Sequence, residues 1–397
     1  MKPISQMASR VHASTTLAID SLYKKMKADG LDVVGFGAGE PDFSTPANIV
    51  EAAERAMREG KTKYTPASGL LELKAAVCDR MKADCNVSFN TNNVLIASGA
   101  KHNLFITFSV LLDPGDEVIL PAPFWVSYAE MIAMCGGVPV IVKADEDQNF
   151  KITPEQLEAA ISPRTKCLCL NTPSNPTGMI YSEQELIALA EICVKHDLYI
   201  VSDEIYYSLV YDGKKAVSVA SLGDEIKKRT ILINGVSKTY AMTGWRVGYT
   251  MADESLIKAM SNFASHSTGA PATFAQWGAI EALRGPQDEV EKMRQAFERR
   301  RNLIVDRVNA VPGVSCLKPE GAFYIMINLK KLIGQELYGV KINDSDDFAN
   351  LFLDRGHVAV VPCTGFAAPE YVRLSYATNE RVINAGIDRL ETFLKNA

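Results

Sequence analysis

Lys238 stands at the end of an apolar run, in SKTYAMTGWRVGY (237–249). Lysine is almost never buried without a partner or a task. An amine stripped of water has a lowered pKa and can attack a carbonyl to form a Schiff base; the plainer reading is a loop lysine in solvent. Asp203 closes a second apolar run, LYIVSDE (198–204), and a carboxylate set in a crevice calls for a cation. Tyr206 follows three residues on, in SDEIYYSLVY. Asn175 lies in NTPSNPTG (171–178), where its amide can reach a ligand oxygen, although NPTG alone is a turn signal.

A second group of residues suits an anion. IASGAKHNLFITFSVLL (96–112) reads as a strand, then Ser98-Gly99-Ala100, then an amphipathic helix. Small residues there let a phosphate approach the free N–H groups of the first helical turn. The spacing is neither that of a P-loop nor of a dinucleotide fingerprint. Arg246 and Ser237 complete the cup, since a guanidinium fork fits phosphate. Trp125, in APFWVSYAEM (122–131), offers an indole either to a flat heterocycle or to the core. Arg373 interrupts the apolar run YVRLSYA (371–377), as an edge residue or as one kept for a ligand anion. GFGAGEPDF (35–43) has glycines enough for close backbone approach, but Pro41 cuts it short of a helix. Together these residues describe a phosphorylated, cationic, flat heterocycle bearing an aldehyde for Lys238. Pyridoxal 5′-phosphate meets each requirement, with Asp203 for its ring nitrogen and Asn175 and Tyr206 for its phenolic oxygen.

The elements that must carry these residues alternate. Short β-rich runs at 116–121, 138–143, 165–171, 198–204, 230–238 and 246–252 are separated by helix-length segments. TPEQLEAAI (153–161) opens on a Thr cap with Pro at the first helical position, and SEQELIALAEICVKH (182–196) on a Ser cap. Apolar runs without strict alternation suit strands covered on both faces, so the pattern is α/β with a mostly parallel sheet. The segment 285–311 reads as one long charged amphipathic helix. Beyond it, strand-like runs with helices near 344–355 and 379–395 form a smaller α+β unit, with which the N-terminal arm packs. The expected division is 44–290 for the large unit, and 1–43 with 291–397 for the small one.

A chain of 397 residues with 47% hydrophobic and 22% charged content can bury a large core. A formal net charge of −5 disfavours nucleic acid and anionic membrane as partners. Apolar runs are too short to span a bilayer, and the N-terminus lacks the apolar stretch of a secretory signal, so a cytoplasmic location is expected. The 8 cysteines show no C-x-x-C and the 5 histidines no ligand spacing, which predicts reduced core thiols and no metal.

GVSKTYAMTGWRVG (235–248), with AGEPDF, KYTPASG, NPTG, SDEIY, PEGAFY and RLSYA in that order, resembles the fold-type I pyridoxal-phosphate aminotransferases, class I/II. The resemblance covers essentially the whole chain and is closest to the bacterial aspartate aminotransferases of subgroup Iβ. It implies a large domain with a mostly parallel seven-stranded sheet flanked by helices, plus a smaller α+β domain. It implies that Lys238 holds the cofactor covalently and moves the substrate proton, and that Asp203 keeps the pyridine nitrogen protonated. Tyr206 and Asn175 bind the phenolic oxygen; Gly99, Ala100, Ser237 and Arg246 bind phosphate; Trp125 stacks on the ring. Tyr64 reaches the phosphate of a neighbouring subunit, which makes a homodimer with shared active sites. Arg373, helped by Gly39 and Asn175, clamps the substrate α-carboxylate. Lys101, with hydroxyls near Ser14 and Thr16, serves the distal carboxylate, unless Lys101 is simply solvated. The implied reaction is L-aspartate plus 2-oxoglutarate to oxaloacetate plus L-glutamate by a ping-pong route. Aromatic, prephenate or alanine transamination and β-elimination are alternatives on the same scaffold. A non-catalytic ligand sensor would lack Lys238 or Asp203, and both are present.

Overall fold

The computed structural model describes residues 2–5, 7, 8, 11 and 15–397, with the backbone alone for residues 15–18 and 20. In chain order the strands are β1 Val34–Gly35, β2 Val94–Ala97, β3 Glu117–Ala122, β4 Val138–Lys143, β5 Thr165–Asn171, β6 Tyr199–Asp203 and β7 Thr230–Gly235. They continue as β8 Gly248–Met251, β9 Tyr324–Asn328, β10 Glu336–Leu337, β11 Val340–Lys341, β12 Val358–Ala359, β13 Val361–Pro362 and β14 Tyr371–Ser375.

A seven-stranded sheet runs in the order β2-β8-β7-β6-β5-β3-β4. Only β8 opposes the rest, pairing antiparallel with β2 and β7. The interior strands β7 and β8 are buried at every position, as the unbroken apolar runs require, and so is β2 at one edge of the sheet. Leu104, Phe108, Ile132 and Met260 pack from helices on one face. On the other face lie Leu157, Leu186 and Leu189, and beside them Leu73, Val77 and Ala279. The helix starts are encoded as expected: Thr153 and Ser182 accept from the N–H groups of Gln156 and Glu185, each in a reciprocal capping box.

Two expectations are corrected. VPVIVK forms β4 as read, but β4 is one of the two sheet edges, and Val138 and Ile141 are exposed rather than covered on both faces. TILINGVSK is not one strand: β7 stops at Gly235, and Val236–Thr239 turns as a short helix that carries Lys238. An apolar run cannot by itself distinguish strand from one helical turn.

The long helix Asp288–Asn309 leads to a second, antiparallel sheet, β13-β14-β9. Helices Ser345–Gly356 and Glu380–Lys395 pack on it through Phe348, Phe352, Ile383 and Ile387. The N-terminal strand β1 pairs in parallel with β12. The core of this region extends to Tyr206 and Leu209, beyond the end of β6, so the two sheets meet where the candidate residues lie. No helix among the described residues is long and apolar enough to cross a membrane, and all 8 cysteines are free thiols.

Candidate active site

In open α/β sheets ligands sit beyond the carboxyl ends of the strands. Here β6 ends at Asp203, β5 reaches Asn171, and the turn after β7 carries Lys238. A cavity of about 560 Å³ opens at that point. It gathers Gly39, Ala100, Lys101, Trp125, Asn175 and Asp203, with Tyr206, Ser237, Lys238, Arg246 and Arg373 around them.

The Lys238 amine donates to the Gly39 carbonyl at 2.6 Å. Burial, ahead of every other influence, lowers its pKa to about 8; Arg246 and Arg373 act in the same direction, and Glu40 and Asp203 oppose them. An amine so placed is a usable nucleophile near neutral pH.

Asp203 is buried, and no guanidinium or ammonium group hydrogen-bonds to it among the described residues. The Tyr128 hydroxyl donates to Oδ2 at 2.7 Å and the Ile205 N–H to Oδ1 at 3.2 Å. Burial raises the Asp203 pKa to about 6, against the pull of Tyr128, Ile205 and Lys238. The carboxylate is therefore oriented by neutral donors and lacks the cation that burial calls for.

Tyr206 and Tyr324 meet hydroxyl to hydroxyl at 3.0 Å. Arg373, buried in β14, donates to Asn175 Oδ1 at 3.0 Å and to the Gly37 carbonyl at 3.1 Å. Its guanidinium lies over the Tyr324 ring, 4.5 Å from the centroid, and its buried Nε has no partner. The Asn175 N–H is held by Asn171 Oδ1 at 2.7 Å, while Asn171 donates to the Asp203 carbonyl at 2.9 Å.

At the opposite end the helix Ala100–Leu111 begins at Gly99, whose φ is 86°. A Cβ on Gly99 would stand 2.6 Å from Arg246 Nη2, and one on Gly248 2.5 Å from the Ala100 nitrogen. Two glycines thus clear the approach to the helix N-terminus. Arg246 donates to the carbonyls of Thr243 at 2.9 Å and Ser98 at 3.2 Å. Ser237, buried in the turn, faces the same end of the cavity.

Lys101 lies over the Trp125 ring, 4.8 Å from its centroid, and burial followed by Arg246 lowers its pKa. Trp125 is braced edge-on by Tyr128, with centroids 5.3 Å apart. Lys101 and Arg246 also border a second cavity of about 770 Å³ with apolar walls, among them Phe105, Met131 and Ile141. Tyr64 is fully exposed and does not line the cavity of its own chain. Ser14 lies outside the described residues, and so does the side chain of Thr16.

The sequence reading missed Tyr128 and Asn171 and assigned no role to Tyr324 or Glu40. All four line the cavity. PEGAFY and AGEPDF were visible as motifs, but nothing local marks which of their side chains turns inward. Tyr128 follows Trp125 by three residues and carried no signal of its own.

The residues fit pyridoxal 5′-phosphate on the structure's own terms. A cradle that a Cβ would fill offers backbone N–H groups and a guanidinium for phosphate. A buried acid without a cation awaits a pyridinium, and a depressed lysine awaits an aldehyde. The orphaned Nε of Arg373 marks a guanidinium not yet fully engaged.

Comparison with known proteins agrees. The family model described as aminotransferase class I and II matches residues 31–390. The aspartate aminotransferase of Bacillus subtilis is 50% identical, with 98% of this chain and 99% of that protein covered. That of Geobacillus stearothermophilus is 49% identical, covering 100% and 99%. The crystal structure of the Rhizobium meliloti aspartate aminotransferase superposes with a TM-score of 0.96 at 39% identity, over 100% of both chains. With family match and full-length relatives in accord, this chain belongs to the class I and II aminotransferases and depends on pyridoxal 5′-phosphate.

Proposed function

We propose that the chain is an aspartate aminotransferase, converting L-aspartate and 2-oxoglutarate to oxaloacetate and L-glutamate in two half-reactions at one site. The observation that carries this reading is the convergence of a depressed lysine, a buried acid and a buried arginine in a single cavity. The bound cofactor supplies an electron sink for the carbanion formed at the substrate Cα.

The chain's own residues do the rest. Asp203, fixed by Tyr128, holds a proton at the pyridine nitrogen. Tyr206 and Asn175 engage the phenolic oxygen. Gly99, Ala100, Ser237 and Arg246 would seat the phosphate, and Trp125 would offer its indole to the ring. Arg373 takes the substrate α-carboxylate in a bidentate grip, with Asn175 and Gly39 beside it. With the cofactor bound, Lys238 Nζ would take the Cα proton and hold it for the second proton transfer. Tyr64, projecting from the surface, serves the phosphate of a second copy, so the working unit is a cytoplasmic homodimer with shared sites. Residues 44–290 form the cofactor domain, and residues 1–43 with 291–397 the small domain.

Lys101 receives the distal carboxylate of the substrate. The neighbouring apolar cavity gives room for aromatic or prephenate-type substrates, the second reading. Single half-reactions with aspartate, phenylalanine and alanine, followed by cofactor absorbance, separate the two. Aspartate should react fastest, and Lys101→Ala should cost aspartate about tenfold or more while sparing alanine. Aspartate reacting no faster than alanine contradicts the assignment.

A further inference from the structure

Tyr324 opens β9 in the small antiparallel sheet, yet its hydroxyl lies inside the cavity wall. Its ring is buried, and it touches two members of the site and stands beside a third. Its hydroxyl is 3.0 Å from that of Tyr206. Its ring carries the Arg373 guanidinium at 4.5 Å. A Cβ on Gly39, the residue whose carbonyl receives the Lys238 amine, would stand 3.3 Å from its hydroxyl.

We infer that Tyr324 is a positioning residue, whose hydroxyl proton is committed to the Tyr206 oxygen so that Tyr206 gives its own proton to the cofactor. This rests on the proposed role of Tyr206 at the phenolic oxygen. Each hydroxyl has one proton. If Tyr206 spends its proton on the cofactor, the 3.0 Å contact can be filled only by donation from Tyr324. A donor that also accepts a hydrogen bond is strengthened by it. Stronger donation from Tyr206 stabilises negative charge on the phenolic oxygen and loosens the proton on the nitrogen joined to Lys238. The guanidinium over the Tyr324 ring places the carboxylate grip and this proton relay on one side chain, so Tyr324 links the small sheet to the tuning of the covalent lysine.

The test is a spectrophotometric pH titration of the bound cofactor in the holoenzyme. Tyr324→Phe should raise the apparent pKa of the absorbance transition of the lysine-bound cofactor by a few tenths of a pH unit. Tyr324→Met, of similar bulk and also without the hydroxyl, should shift it in the same direction if the Phe variant folds poorly. In a Tyr206→Phe background the Tyr324 change should have no further effect. A wild-type titration curve in the Tyr324 variants, or an equal shift with and without Tyr206, overturns the inference. Borohydride fixation of the cofactor to Lys238 in the same samples separates the cases: fixation without the shift leaves the site reading standing and removes only the role of Tyr324. Absence of fixation in the wild type removes both.

Discussion

Two ionisable side chains in the cavity have their proton affinities moved toward neutrality by burial. Burial depresses Lys238 and raises Asp203, and beside them the buried Arg373 donates to Asn175 and the Gly37 carbonyl. The residue types and their order were legible in the sequence, because each ends or interrupts an apolar run. Their neutral partners were not. A buried carboxylate was expected to find a cation, and instead Tyr128 and a backbone N–H orient it, leaving the cationic place to the cofactor. Such partners come from segments remote in sequence, 75 residues away for Tyr128, and leave no local pattern. At this scale the arginine is the clearest test. Arg373→Leu removes two charge-assisted bonds to the substrate carboxylate and should lower kcat/KM for aspartate by about 10²–10³-fold, measured by steady-state kinetics. A loss under threefold would place the carboxylate elsewhere.

The elements matter here through where they stop. β7 ends at Gly235, one turn of helix follows, and the lysine is thereby lifted off the strand and turned into the crevice. The sequence showed the run but not its break, since Val236 is as apolar as the strand before it. The edge position of β4 was likewise invisible, because strand order is decided by crossovers between segments and not within any one of them. The helix at Ala100 was legible, and so was its use for an anion. Gly99 fixes that use by adopting a left-handed φ of 86° directly under Arg246. Gly99→Ala adds strain of about 1–2 kcal/mol and pushes the guanidinium aside. Cofactor affinity, read by fluorescence titration, should weaken about tenfold or more. Unchanged affinity would remove Gly99 and Arg246 from the phosphate cradle.

For the whole molecule, the cost of the site falls on folding. Just past the end of β6, Glu204 is fully buried on hydroxyls of Ser202 and Ser218 and the Val219 N–H, with Oε2 unpartnered. Burial raises its pKa from 4.5 to about 7. The folded state thus holds a proton that the unfolded chain releases near 4.5, so its contribution to stability is present below that pH and is lost as pH rises through about 7. Glu204→Gln should leave thermal stability near pH 4.5 unchanged and raise the melting temperature at pH 8 by a few degrees, worth about 2–3 kcal/mol. Equal melting at pH 8 would mean that the carboxylate is not strained by its burial.

The central claim is that Lys238 carries the cofactor. Incubation with pyridoxal 5′-phosphate, reduction with borohydride and peptide mass spectrometry test it most directly. The expected result is one phosphopyridoxyl group per chain, on the peptide containing Lys238, and none in Lys238→Ala. A label on Lys101, one spread over surface lysines, or none at all would contradict the account.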